Sequence, residues 1–179
     1  NMENYFQAKL KLFTQLDANS TAIVNMDDKY GKRIIESVKS NVITYGFNKD
    51  ATVYPISYQF SITGTNAHIS IDDREIEISS PLVGKFNLYN ILASIASAHA
   101  LDIPHLVIAR AIESFSKISG RMEVVPTQSV GTVIIDYAHT PDAYENVLST
   151  IQDLSLENKI FTLFGCGGNR DQSKRPLMA

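Results

Sequence analysis

The chain has 179 residues, 44% of them hydrophobic and 20% charged, enough to build one or two α/β units with real cores. Its 16 lysines and arginines against 19 acidic residues leave a net charge of −3, with no basic run long enough to track a phosphate backbone, which excludes nucleic acid as an expected partner. No apolar stretch reaches membrane-spanning length and no signal-peptide pattern opens the chain, while the single cysteine, Cys166, excludes an internal disulfide and fits a reducing compartment, so a cytoplasmic location is expected.

Phe6, Leu10, Phe13 and Leu16 recur at helical spacing and predict a helix over 3–16. A strand TAIVN, a helix from about Asp28 to Lys39 and a strand VITYGF follow, an alternation that predicts a parallel βαβ unit. From Ala51 to Ser79 the period drops to two, through VYPISYQFSIT, AHISID and REIEISS. With turns at Gly64-Thr65-Asn66 and Asp72-Asp73, this predicts an antiparallel meander. Helices over about 87–101 and 104–115 come next, and the break at Ser116 to Gly120 marks a candidate domain boundary. Beyond it, SGRMEVVP and GTVIIDYAHTPD predict a pair of strands, with Val133, Ile134 and Ile135 reading as fully buried. Thr140 is suited to cap a helix over 141–153 that opens on Pro141, KIFTLF predicts a further strand, and GCGGNRDQSKRP leads into another helix.

Several residues carry chemistry on their type and place. Asp136, Tyr137 and His139 stand at the carboxyl end of a strand, the edge at which open α/β sheets bind ligands, although His139 could equally brace the turn. The glycines of GCGGNRDQSKRP let backbone approach a ligand, and Arg170, Lys174 and Arg175 beside them suit a carboxylate or phosphate; a plain glycine-rich turn is the competing reading. Asn87 and Asn90, three apart at a helix start, can pair with a base edge or serve as caps. Lys9 reads as a snorkelling surface lysine, and Asp27-Asp28 as a metal pair or a turn with a helix cap. His68, His99 and His105 show no ligand spacing, and Cys166 reads as a small packing residue.

Six segments, YFQAKLKLF, NMDDKYG, VGKFNLYNILAS, SGRMEVV, VIIDYAHTPDAYENVL and FGCGGNRDQSKRPLM, taken in this order over nearly the whole chain, resemble the Mur ligases of peptidoglycan synthesis, on the branch that forms the UDP-N-acetylmuramoyl-tripeptide. The resemblance implies an α/β fold: a mostly parallel sheet of the Mur ligase ATPase domain with an antiparallel meander over residues 1–119, then the start of a Rossmann-like, amino-acid-binding domain over 120–179. A further domain holding the UDP-sugar would complete the family's three. The implied cofactors are ATP and Mg²⁺, and the implied substrates are UDP-MurNAc-dipeptide and a diamino acid, diaminopimelate ahead of lysine. A monomer with no nucleic-acid or membrane partner is expected. In the family reaction ATP converts a terminal carboxylate into an acyl phosphate, which the incoming amine attacks to form the amide.

The same resemblance implies roles residue by residue. Lys9 resembles the lysine whose carbamate helps hold Mg²⁺, which displaces the snorkelling reading. Asn87 and Asn90 match asparagines near the adenine, and Arg121 matches the arginine that reaches the ATP phosphates. Asp136 would accept from the ribose hydroxyls, with Tyr137 and His139 shaping the same pocket. Arg170 resembles the residue that meets the carboxylate of the incoming amino acid, and Lys174 lies where a phosphate-side cation is expected. No G-x-x-x-x-G-K-[ST] occurs, since Gly84-Lys85 lacks the preceding loop, so the phosphate cradle is expected upstream of Asn1. The D-N-P-R-type segment that separates diaminopimelate from lysine is expected beyond residue 179, and the chain alone is expected to be inert. A lysine-adding or sister ligase and a non-catalytic nucleotide-binding module are the alternatives, while the absence of G-x-G-x-x-G disfavours a nicotinamide-dependent enzyme.

Overall fold

The helical and extended patterns at the start of the chain resolve into α1 (Met2–Thr14), β1 (Thr21–Asn25), α2 (Lys29–Ser37) and β2 (Asn41–Tyr45) in a computed structural model that describes residues 1–115, 118–128, 131–154, 159–167 and 172–179. In β1 the small and β-branched Ala22 and Val24 are buried while their neighbours are half-buried, the alternation of a strand covered more tightly on one face. β1 pairs with β2 in parallel from Thr21 opposite Asn41 to Asn25 opposite Tyr45, so α2 is the crossover of a βαβ unit, as the alternation predicts. A side chain at Gly31 on α2 would run into the carbonyl of Asn25, which is how the helix lies so close to the end of β1.

The meander follows as β3 (Val53–Ser61), β4 (Gly64–Ile71) and β5 (Arg74–Ser80), giving one five-stranded sheet in the order β1-β2-β3-β4-β5. β3 joins β2 in parallel only at Tyr45 opposite Val53, and the β3–β4 and β4–β5 pairings are antiparallel. Asp72 and Asp73, both at positive φ of 48° and 64°, make the two-residue turn between β4 and β5, matching a hairpin twist that favours left-handed central residues. The first turn lies elsewhere than expected. Ser61 pairs with Gly64, so Ile62 and Thr63 form the loop, and the Gly64-Thr65-Asn66 expected as a turn opens β4 instead. The reason is Thr65, whose buried side chain faces the core and whose hydroxyl donates to the Leu82 carbonyl at 2.7 Å.

The core sits between this sheet and α3 (Lys85–Ala100). Leu88, Ile91, Leu92 and Ile95 recur at i, i+3, i+4 and i+7 and are buried against Val53, Ile69, Ile71 and Ile78 of the strands. α4 (His105–Glu113) adds Ile108 to the same cluster and packs beside β5. α1 docks on α2 through a smaller contact, with Phe6 its single buried residue and stacked on Tyr30 at 4.9 Å. Arg33 lies 4.1 Å over the Phe6 ring and forks onto the Glu3 carboxylate with two bonds of 2.8 Å. That fork, with a third bond from Gln7, pulls the Glu3 carboxyl from 4.5 down to about 2.

After α4 the chain forms β6 (Glu123–Val125), β7 (Val133–Ile135), α5 (Pro141–Leu154), a 3₁₀ turn (Gln172–Lys174) and α6 (Arg175–Met178). β6 and β7 form the predicted pair, in the antiparallel sense, but the expectation that Val133, Ile134 and Ile135 are fully buried fails: Val133 is 45% and Ile135 49% exposed. Among the described residues β7 has one neighbour strand, and of its three residues only Ile134 is half-buried. The strand expected at KIFTLF is absent for the same reason, since residues 159–167 carry no regular structure and Phe161 and Leu163 are 90% and 100% exposed. A strand needs a ladder partner as well as β-favouring residues. Among the described residues no helix is long and apolar enough to cross a membrane.

Candidate functional site

The turn Ser119-Gly120-Arg121-Met122 leads into β6 and carries two backbone positions in the left-handed region, Gly120 at φ 69° and Met122 at φ 46°. Among the described residues Gly120 has no neighbour within 4 Å of where a Cβ would stand, so its backbone angle is what favours glycine there. Met122 adopts the same region against its own Cβ, and the Asp136 carboxylate offsets the strain by accepting from its backbone N–H at 2.8 Å. The second Asp136 oxygen accepts from the Ala138 N–H at 2.7 Å. Each carboxylate oxygen keeps a further lone pair for another donor.

The turn also joins the end of β7 directly. The Tyr137 N–H donates to the Gly120 carbonyl at 2.8 Å, and the Arg121 guanidinium lies 5.5 Å from the centre of the Tyr137 ring. The His139 ring is 5.2 Å from that of Tyr137, and its Nδ1 is 3.0 Å from the Tyr137 carbonyl. Because a carbonyl only accepts, this contact requires the proton on Nδ1, which leaves Nε2 of the neutral ring as an outward acceptor. Arg121, from one segment of the sequence, and Asp136, Tyr137 and His139, from another, therefore stand in one group at one sheet end. Arg121, Tyr137 and His139 are exposed there.

Asn90 reaches the same neighbourhood. It lines a cavity of about 140 Å³ with Leu82, Ile91, Ile112, Phe115 and Ile118, and the Ile118 carbonyl accepts from the Arg121 N–H at 3.2 Å. The space is smaller than the roughly 300–1,000 Å³ of whole-ligand pockets and suits one ring of a ligand. Asn87 does something else. It is 6% exposed and donates its amide to the Val83 carbonyl at 2.9 Å, while Gly84 occupies the N-cap of α3, so neither the capping role nor a face shared with the exposed Asn90 describes it.

Lys9 stands apart from this group on α1, exposed, with its ammonium 5.5 Å from the Tyr5 ring. Lys174 ends the 3₁₀ turn, and Arg170 falls outside the described residues, as do Gly168, Asn169 and Asp171 of the glycine loop. Asp28 caps α2 through the Tyr30 N–H at 2.7 Å, the cap alternative of the two readings. Asp27 holds a junction that no spacing in the sequence signals. It accepts from the Phe47 and Asn48 N–H groups and from the Tyr89 hydroxyl, the last at 2.8 Å across 62 positions. Burial and that bond push the Tyr89 phenol far above its usual range. Among the described residues, no three of His, Cys, Asp or Glu gather as a metal site.

A larger groove of about 690 Å³ lies between the meander and α4, lined by Tyr58, Asn66, His68, Glu77, Arg110 and Glu113 among others. His68 is already engaged by Glu75 at 3.0 Å, and none of the residues given a role in the sequence analysis lines this groove.

Comparison with known proteins places these features in a family. The Mur ligase middle domain matches residues 1–98, more than half of the chain, and the Mur ligase glutamate ligase domain matches residues 120–179. A UDP-N-acetylmuramoyl-L-alanyl-D-glutamate–2,6-diaminopimelate ligase of Geobacter sulfurreducens is 42% identical over 100% of this chain and 36% of its own length. The enzyme of the same name from Aquifex aeolicus is 44% identical over 99% of this chain and 36% of its own. A solved structure of a ligase of that name superposes with a TM-score of 0.73 at 30% identity, covering 99% of this chain and 37% of the other. The chain thus spans about a third of the length of the curated relatives it matches. On these matches, and with a parallel sheet extended by an antiparallel meander, the chain belongs to the Mur ligase family.

Proposed function

We propose that this chain serves an ATP-dependent amide ligase that adds diaminopimelate to UDP-N-acetylmuramoyl-L-alanyl-D-glutamate. The observation that carries the reading is the convergence of Arg121, Asp136, Tyr137 and His139 on one turn, with Met122 and Asp136 bonded across 14 positions of sequence. The relatives of the same length match support the choice of diaminopimelate.

The donor set fits a nucleotide. An exposed guanidinium answers a phosphate, the spare lone pairs of Asp136 answer ribose hydroxyls, and the cavity beside Asn90 takes a ring. Bound ATP supplies the phosphoryl group that activates the acceptor carboxylate. Arg121 then stabilises charge on the transferring group from a fixed position, the electrostatic help that such reactions chiefly need. Tyr137 holds the guanidinium by its ring face, and His139 offers Nε2 to a hydroxyl or a water. Asn87 positions the start of α3 from beneath.

Among the described residues no cluster of His, Cys, Asp or Glu makes a metal site, and Lys9 as a carbamate would bring a single carboxylate on α1. Residues 1–119 and 120–179 are proposed as the two domain portions, with Arg170 and Lys174 on the amino-acid and phosphate sides. The test is phosphate release by the protein at its full natural length, given ATP, Mg²⁺ and UDP-MurNAc-dipeptide, with diaminopimelate, lysine or neither. Release with diaminopimelate alone is expected. Release only with lysine would replace the amino acid, and no release with either would overturn the reading.

A further inference from the structure

Two carboxylates, not one, grip the turn that carries Arg121. Asp136 holds it from the side of β7, through the Met122 N–H. Glu123, the first residue of β6, holds it from the other side: its Oε2 accepts from the Gly120 N–H at 2.8 Å and from the Ser119 hydroxyl at 3.1 Å. Arg121 thus sits between two left-handed residues, each fixed through its own backbone N–H by a different carboxylate. Two backbone bonds also hold the turn, from the Tyr137 N–H to the Gly120 carbonyl and from the Arg121 N–H to the Ile118 carbonyl, but neither fixes the Gly120 or Met122 N–H. Arg121 is exposed, and among the described residues nothing lies within 4 Å of where a Cβ at Gly120 would stand.

An exposed guanidinium on a long stem loses rotamer and backbone freedom when it meets an anion, and a turn fixed in advance lowers that cost. Charge-assisted bonds from a carboxylate to backbone N–H groups are among the stronger ways to fix it. We infer that Glu123 is a positioning residue for Arg121, acting by locking the Ser119–Met122 turn and not by touching a ligand. The inference rests on the reading of Arg121 given above.

The experiment has two parts. In the chain itself, Glu123→Ala is expected to raise the hydrogen-exchange rate of the Gly120 amide by about tenfold or more, the worth of a hydrogen bond to a charged group. Glu123→Gln, which keeps an acceptor oxygen, should lose less. Unchanged exchange at Gly120 in both variants would overturn the proposal.

In the protein at full natural length, ADP formation is compared for Glu123→Ala, Arg121→Ala and the pair. If Glu123 acts through Arg121, its substitution lowers kcat by about tenfold when Arg121 is present and changes nothing when Arg121 is absent, because the two effects are then not additive. Glu123→Gln should recover part of the loss, and it replaces the alanine variant in the cycle should that variant fold poorly. Additive losses would overturn the positioning role while leaving Arg121 in place. Full turnover by Arg121→Ala alone would instead remove the reading of Arg121, and the positioning role with it.

Discussion

Gly120 and Met122 share one backbone conformation but are held to it differently. At Gly120, among the described residues, nothing but the φ angle opposes a side chain. Gly120→Ala is therefore expected to lower stability by about 1 kcal/mol through backbone strain alone. A urea midpoint that falls with an unchanged m-value would show it, and an unchanged midpoint would mean that the turn relaxes. Tyr89 offers a second residue-scale test. Its phenol is raised by burial first and by Asp27 second, so the neutral form is favoured in the fold. A raised group contributes stability that is complete below its unfolded value, near 10, and lost as pH climbs through the higher folded one. Loss of stability above pH 10 should thus shrink in Tyr89→Phe, read by denaturant melts across the alkaline range. Sequence singles out Asp27 but not its bond to Tyr89, because the 62 positions between them are closed only by the packing of α3 on the sheet. Glu123 was closer to legible: it stands two places after Arg121, but its target is a backbone amide that only the left-handed turn exposes.

At the scale of elements, α1 depends on one buried ring and one ion pair. Phe6→Ala should cost about 3 kcal/mol if α1 stays docked, and less if the helix detaches and ceases to be part of the cooperative unit. Helix-specific amide exchange separates the two. The Glu3–Arg33 fork adds a pH dependence whose direction is fixed by the lowered carboxyl. Its contribution is present above pH 4.5 and lost as pH falls toward about 2, so the protection of α1 amides, measured against their intrinsic exchange rates, should fall over that interval. Glu3→Gln should abolish the change, and high salt should weaken it, since the pair is exposed. The same scale divides what sequence reveals from what it hides. Periods of 3.6 and 2 mark α3 and the meander because burial of one face repeats with the period of the element. KIFTLF has the residues of a strand, yet no ladder stands beside it among the described residues, and pattern alone cannot supply one.

For the molecule as a whole, the hydrophobic core and the proposed site draw on different residues. The core lies between α3 and the strands, and Leu92→Ala at its centre is expected to cost about 3 kcal/mol in a denaturant melt. The group around Arg121 contributes little to that core and is exposed, as a site must be. The larger groove beside α4 competes with it on size alone. The most direct measurement compares ADP formation, at the protein's full natural length and with all substrates present, by Arg121→Ala and by His68→Ala in that groove. The account predicts a loss of about a hundredfold or more for the first, the worth of a group that stabilises transition-state charge, and unchanged turnover for the second. The opposite pattern would contradict it and move the chemistry to the groove.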